Sequence, residues 1–97
     1  IINISSGMGS LSEMEGGWAA YRMSKSSLNA LTRILHAELN SFGISVNSVC
    51  PGWLRTDLGG ESAPLSPEEG ARTPVWLATM VDSPSGKFFR NKEEIEW

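Results

Sequence analysis

Tyr21 and Lys25 stand four residues apart, the spacing that puts two side chains on one face of a helix. A phenol, with an ordinary pKa of about 10, is a poor base at neutral pH, but an ammonium one turn away favours its phenolate. Such a phenol can give a proton to a carbonyl oxygen during reduction, or take one from an alcohol during oxidation. Ser6 closes an apolar run upstream, and a hydroxyl beside the phenol can hold the same oxygen as charge develops on it. The trio suits hydride transfer to a ketone or aldehyde. It does not suit hydrolysis, because no nucleophile is paired with a base. Taken singly, each residue has a plainer reading. Tyrosine and lysine meet at this spacing by chance on many helices, and a serine after a strand can bond its own backbone.

The elements around the trio give it weight. Ile1-Ile2-Asn3-Ile4-Ser5-Ser6 is a β-branched run without clean alternation, which predicts a strand covered on both faces in a parallel sheet. Gly7, Gly9, Gly16 and Gly17 make the next stretch a loop. A helix is expected from Trp18–Ala20 to Ser41, with Leu28, Leu31, Leu35, Leu39 and Phe42, widened by Ile34, as its buried stripe. Gly43 stands at its C-terminal cap. Ile44 to Val49 reads as a second strand ended by Pro51-Gly52, which completes a βαβ unit with parallel strands. Trp53 to Leu65 reads as a mobile surface loop. Ser66-Pro67-Glu68-Glu69 opens a second helix with a capping box and proline in the first turn, carrying Val75, Trp76, Leu77 and Met80 and fading by Val81. Asp82 to Gly86 is a turn, Phe88-Phe89 a short strand, and Asn91 to Trp97 a charged tail anchored by Ile95 and Trp97. The order is β-α-β-α-β, and it sets Ser6 and the Tyr21–Lys25 pair at the carboxyl end of the first strand, where α/β sheets carry their sites.

The 97 residues make one domain at most. Eleven acidic against eight basic side chains give a net charge of −3, which argues against nucleic-acid partners and charged membrane surfaces. The deficit lies wholly beyond residue 50. No apolar run is long enough for a membrane span. The single cysteine, Cys50, excludes an internal disulfide and a cysteine-cluster metal site, and suits a reducing compartment. His36 reads as a flank residue without metal partners, Cys50 as a small buried hydrophobe, Trp76 and Trp97 as packing anchors, and Asp57 and Glu61 as solvated loop residues.

Asn3-Ile4-Ser5-Ser6-Gly7-Met8-Gly9, Tyr21-Arg22-Met23-Ser24-Lys25 and Val46-Asn47-Ser48-Val49-Cys50-Pro51-Gly52-Trp53-Leu54-Arg55-Thr56 together resemble the carboxy-terminal portion of a short-chain dehydrogenase/reductase. The resemblance implies a three-layer Rossmann-type doubly wound parallel sheet, of which residues 1–97 hold the C-terminal catalytic and substrate-loop portion. It implies Ser6 as the catalytic serine, Tyr21 as the acid/base, and Lys25 as its partner and a ligand of the nicotinamide ribose. Pro51, Gly52, Leu54 and Thr56 match the segment that wraps the nicotinamide, and the Trp53–Leu65 loop matches the substrate loop. Trp18 and Trp53 are expected to line the substrate site. Gly59-Gly60, the Ser66–Ala71 segment, Thr73-Pro74-Val75 and Gly86-Lys87-Phe88-Phe89 are similar to the carbonyl reductase branch, which implies a small carbonyl substrate, NADPH rather than NAD, and a cytoplasmic setting.

The family's Gly-x-x-x-Gly-x-Gly pyrophosphate turn, its Asn-Asn-Ala-Gly stretch and its relay asparagine are not among these residues. Gly7 and Gly9 lie in the active-site loop and do not replace them. A companion N-terminal half, or a segment preceding Ile1, is therefore expected to carry the cofactor-binding portion. It would also cover the outer edge of the first strand, which would otherwise invite aggregation. The spacing from Ser6 to Tyr21 is slightly longer than the family's commonest, which places a small insertion in the Glu13–Gly17 loop. Homo-oligomerisation through the long helix is a family trait, although several carbonyl reductases are monomers. Two other readings stay open: a truncated, non-catalytic interaction module, and an epimerase or dehydratase using the same Tyr/Lys pair.

Overall fold

The computed structural model describes all residues from Ile1 to Trp97. In chain order the elements are β1 (Ile2–Ile4), α1 (Ala19–Leu39), β2 (Asn47–Val49), α2 (Pro67–Thr79), β3 (Phe88–Arg90) and β4 (Glu93–Ile95), with single 3-10 turns at Gly7–Gly9 and Asn40–Phe42. The sheet order is β1-β2-β3-β4. β1, β2 and β3 run parallel, with Asn3 opposite Ser48 and Val49 opposite Phe89. α1 and α2 cover opposite faces, which gives the three layers expected of the fold.

The sheet is nevertheless mixed. The charged tail expected at Asn91 to Trp97 contains β4, which pairs antiparallel with β3, Arg90 opposite Glu93 and Phe88 opposite Ile95. The two connecting residues, Asn91 and Lys92, have φ of 52° and 65°, the doubly positive backbone that suits a two-residue hairpin. Trp97 then stacks on Phe88 with ring centroids 5.5 Å apart, as a packing anchor should.

Strand alternation sorts the core. Val49 and Phe89 face α2 and form an apolar cluster with Leu77, flanked by Ile2, Trp76 and Met80. Trp76 meets Phe89 edge to face at 5.6 Å. α2 begins on the predicted capping box: Glu69 N–H donates to Ser66 Oγ at 3.1 Å and Ser66 N–H to Glu69 Oε2 at 2.8 Å. The Ser66 contacts hold the Glu69 carboxyl below its ordinary range.

The α1 side differs from the sequence expectation. Leu28, Leu35 and Leu39 are partly buried, but Leu31, Ile34 and Phe42 are 43, 53 and 76% exposed. The fully buried positions of this helix are Asn29 and Thr32. The reason lies in the strands. Asn3 and Ser48 turn toward α1, where Thr32 meets them at 2.9 and 2.7 Å, so the polar stripe faces in and part of the leucine stripe faces out. Gly43 ends the helical stretch in the left-handed conformation, as predicted. β1 is an edge strand, with Ile1 and Ile4 exposed. No helix is long and apolar enough to cross a membrane.

Candidate active site

Three consecutive pieces of chain meet at the carboxyl ends of β1 and β2. β1 delivers Ser5 and Ser6, and the following turn folds back onto the start of α1. Gly9 makes that approach possible: a Cβ there would lie 2.7 Å from the backbone carbon of Lys25. The Gly9 carbonyl accepts from Ser26 Oγ at 2.9 Å and from Asn29 Nδ2 at 3.2 Å. These bonds lock the serine turn onto the helix that carries the tyrosine and lysine.

Lys25 reaches back toward the strand, its Nζ donating to the Ile4 carbonyl at 3.0 Å, two residues before Ser6. The same Nζ lies 5.8 Å from the centroid of the Tyr21 ring. Tyr21, Lys25 and Ser6 are all partly buried. Ser6 Oγ accepts from the Met8 N–H at 3.1 Å and caps the Gly7–Gly9 turn. With a lone pair so engaged, the hydroxyl hydrogen is the part of Ser6 available to an incoming oxygen. Ser6 thus keeps a hydroxyl donor, and the Lys25 ammonium is fixed beside the Tyr21 ring.

Directly after β2 stands Cys50, which is 6% exposed, as expected of a small buried hydrophobe. Its Sγ accepts from the Gly7 N–H at 3.1 Å, so β2 touches the serine turn directly. Pro51 and Gly52 lead into a loop that stays at the surface but closes on itself. Leu54 bridges Leu65, and backbone bonds join Arg55 to Leu65 and Gly60 to Thr56, each at 2.8 Å. Arg55 Nη1 donates to the carbonyls of Ala63 and Pro64. Thr56 Oγ1 accepts from Gly59 N–H at 3.1 Å and keeps its own proton to donate. Leu54 turns its side chain against Gly70 of α2. Trp53 is exposed, with its indole N–H donating to Gly59 O at 2.7 Å. Trp18, 78% exposed, caps α1 without a side-chain hydrogen bond and in the left-handed conformation at φ 53°. A left-handed tryptophan is backbone strain of about 1–3 kcal/mol held next to the site. Asp57 and Glu61 are exposed loop residues, and His36 is a flank residue whose Nδ1 meets Ser85 Oγ at 2.8 Å.

One group of residues had no counterpart in the sequence reading. Arg90, at the end of β3, makes a two-pronged contact with Glu13, at 3.0 and 2.7 Å. These bonds hold the Glu13 carboxyl below its ordinary value of 4.5 and the guanidinium above its own, with a smaller contribution to the latter from the Cys50 thiol. Seventy-seven positions separate the two residues, so no local spacing could have signalled the pair.

The chain belongs to the short chain dehydrogenase family, whose sequence profile matches residues 1–65. Among curated proteins it is 42% identical over 92 residues to mouse carbonyl reductase [NADPH] 1, an alignment covering 86% of this chain and 33% of the mouse protein. Its human counterpart is 40% identical over 90 residues. The chain thus spans about a third of the length of these relatives. Among solved structures, the carbonyl reductase Sniffer of D. melanogaster superposes with a TM-score of 0.88 at 38% identity, over 100% of this chain and 40% of the other. An NADPH-bound carbonyl reductase from chicken fatty liver gives 0.83 at 31% identity, over 100% and 42%.

Proposed function

We propose that this chain supplies the catalytic portion of an oxidoreductase that reduces a ketone or aldehyde to an alcohol with NADPH. The observation that carries the reading is the Lys25 ammonium, held by Ile4 O at 3.0 Å beside the Tyr21 ring and the Ser6 strand end. The preference for NADPH is supported by the cofactor named for the mammalian carbonyl reductases and bound in the chicken one. The residues fit such a group. Lys25 gives one of its three ammonium donors to Ile4, and the others suit the paired hydroxyls of a ribose. Pro51, Gly52, Leu54 and Thr56 follow the carboxyl end of β2, the same end of the sheet as Ser6, and the Thr56 hydroxyl retains a donor. When bound, the nicotinamide supplies the hydride that the carbonyl carbon receives.

The proton transfer is carried by this chain's own residues. Ser6 Oγ donates to the carbonyl oxygen and orients it, its own lone pair being engaged by Met8 N–H. Tyr21 gives its phenolic proton to the same oxygen, completing the alcohol, and is left as a phenolate. The Lys25 ammonium stabilises that charge. Trp18 and Trp53 present indoles beside the site as apolar surface for the substrate's body. A further segment pairs with the open edge of β1, where Ile1 and Ile4 are exposed, and carries the cofactor's pyrophosphate turn. The single unpaired Cys50 suits a reducing compartment such as the cytoplasm.

Tyr21→Phe in the complete protein tests this reading. Turnover of NADPH with an aromatic aldehyde is expected to fall by about 10²–10⁴-fold, with NADPH binding retained. Unchanged turnover would sink the assignment, and turnover without added NADPH would favour an epimerase instead.

A further inference from the structure

We infer that Arg90 is a positioning residue for Ser6: through its clamp on Glu13 and its contact under Gly7, it fixes the turn that aims the serine hydroxyl. This rests on the reductase reading above. The Ser6 hydroxyl is oriented by the Met8 N–H, so its direction depends on the geometry of the Gly7–Gly9 turn. That turn is held from three sides. α1 takes the Gly9 carbonyl through Ser26 and Asn29. β2 takes the Gly7 N–H through Cys50 Sγ. β3 provides the third support, through a charged side chain. Arg90 Nη2 lies so close under Gly7 that a Cβ there would sit 2.5 Å from it.

A guanidinium placed there must itself be fixed, and the carboxylate of Glu13 fixes it. Both of its oxygens are engaged, each by a different guanidinium nitrogen, the planar fork that arginine makes and lysine cannot. Glu13 stands in the loop between Ser6 and Tyr21, so the clamp ties that loop to the end of β3. The neighbouring chain repeats the arrangement: Ser12 N–H donates to Trp97 O at 2.9 Å and Ser10 Oγ to Glu96 O at 3.1 Å. The β3–β4 hairpin and the residues after it therefore brace the loop that separates the serine from the tyrosine. Arg90 side-chain exposure is 32% and that of Glu13 46%, so the pair adds little to global stability. Its geometry is two-pronged and directional, which suits positioning.

The test uses the complete protein, NADPH and benzaldehyde as the carbonyl probe. Arg90→Leu is expected to lower kcat about tenfold, the scale of a small misplacement of a reacting group, with KM for NADPH within about twofold. In a Ser6→Ala background the same substitution should cost less than about twofold, because the group it positions is gone. Arg90→Lys should fall between wild type and Arg90→Leu. Hydrogen exchange provides a readout independent of turnover: the Gly7 and Met8 amides should exchange about tenfold faster in Arg90→Leu, with α2 unchanged. If Arg90→Leu does not fold, Glu13→Gln, altered on the more exposed side of the clamp, should give the same kinetic and exchange changes. Equal kcat losses in both Ser6 backgrounds, or unaltered exchange at Gly7 and Met8, overturn the role of Arg90. A Ser6→Ala enzyme that turns over at the full rate overturns the reductase reading and this role with it, an outcome told apart by the kinetics of that single variant.

Discussion

On the α2 side of the sheet, Val49 and Phe89 meet Leu77 through apolar contact. On the α1 side, Asn3 and Ser48 meet Thr32 through hydrogen bonds at 2.9 and 2.7 Å. Apolar burial is strong but non-directional, and it tolerates small slides between layers. Hydrogen bonds hold only within narrow distances and angles. Apolar packing holds both faces, Phe88 and Val46 being fully buried on the α1 side, but that side adds hydrogen bonds between helix and strand that set its alignment. The aligned face is the one that matters to the site, because α1 carries Tyr21 and Lys25, and its register against β1 sets where Lys25 Nζ meets Ile4 O.

The comparison can be broken most forcefully at Leu77, which is 2% exposed. Leu77→Ala removes the centre of the apolar cluster and should cost about 2–5 kcal/mol of unfolding free energy, read by denaturant titration of the complete protein. Turnover per folded molecule should stay within about twofold, since the hydrogen bonds that hold Ser6 and Lys25 run to Met8 and Ile4 and not to α2. A large loss of kcat at temperatures where the variant remains folded would show that the two faces are not separable.

Thr32→Val probes the aligned face at nearly constant volume. Thr32 Oγ1 accepts from Asn3 Nδ2, pairs with Ser48 Oγ and donates to Leu28 O at 3.0 Å. Its removal leaves Asn3 and Ser48 short of a partner at a fully buried site, at a cost of about 1–3 kcal/mol. The stability loss should be smaller than that of Leu77→Ala, yet kcat should fall by roughly threefold, as α1 loses its register on β1. An unaltered kcat would put the alignment in the Gly9 contacts alone.

What could be read from the sequence was what is encoded locally. The capping box of α2, the left-handed Gly43 and the four-residue spacing of Tyr21 and Lys25 depend on near neighbours, and each stands where the spacing put it. β4 was hidden because its hairpin turn uses Asn91-Lys92 in place of a glycine-containing pair, and because Glu93 and Glu94 look like a solvated tail. The inward side of α1 was only half legible. Leucines at helical spacing suggest a buried stripe, but which stripe turns inward is decided by the strand residues it meets, here Asn3 and Ser48. The Arg90–Glu13 clamp joins positions 77 apart, and only the folded sheet brings them together.

That clamp also yields the smallest effect expected, and its pH dependence has a definite sign. Arg90 holds the Glu13 carboxyl below 4.5 in the folded protein. A carboxyl so depressed stabilises the fold fully above its unfolded value, and the contribution is lost as pH falls through the lower folded value. Both partners are substantially exposed, so solvent screening limits the contribution to under about 1 kcal/mol. Unfolding free energies of the wild type and Glu13→Gln, compared from about pH 7 down to about pH 3, should differ by that small amount at the top of the range and converge below 4.5, the protonated carboxyl then resembling the amide. Added salt should narrow the gap at neutral pH. A difference that persists unchanged into acid would mean that Glu13 contributes by packing and not by charge. The clamp would then act as packing and not as a directional tie.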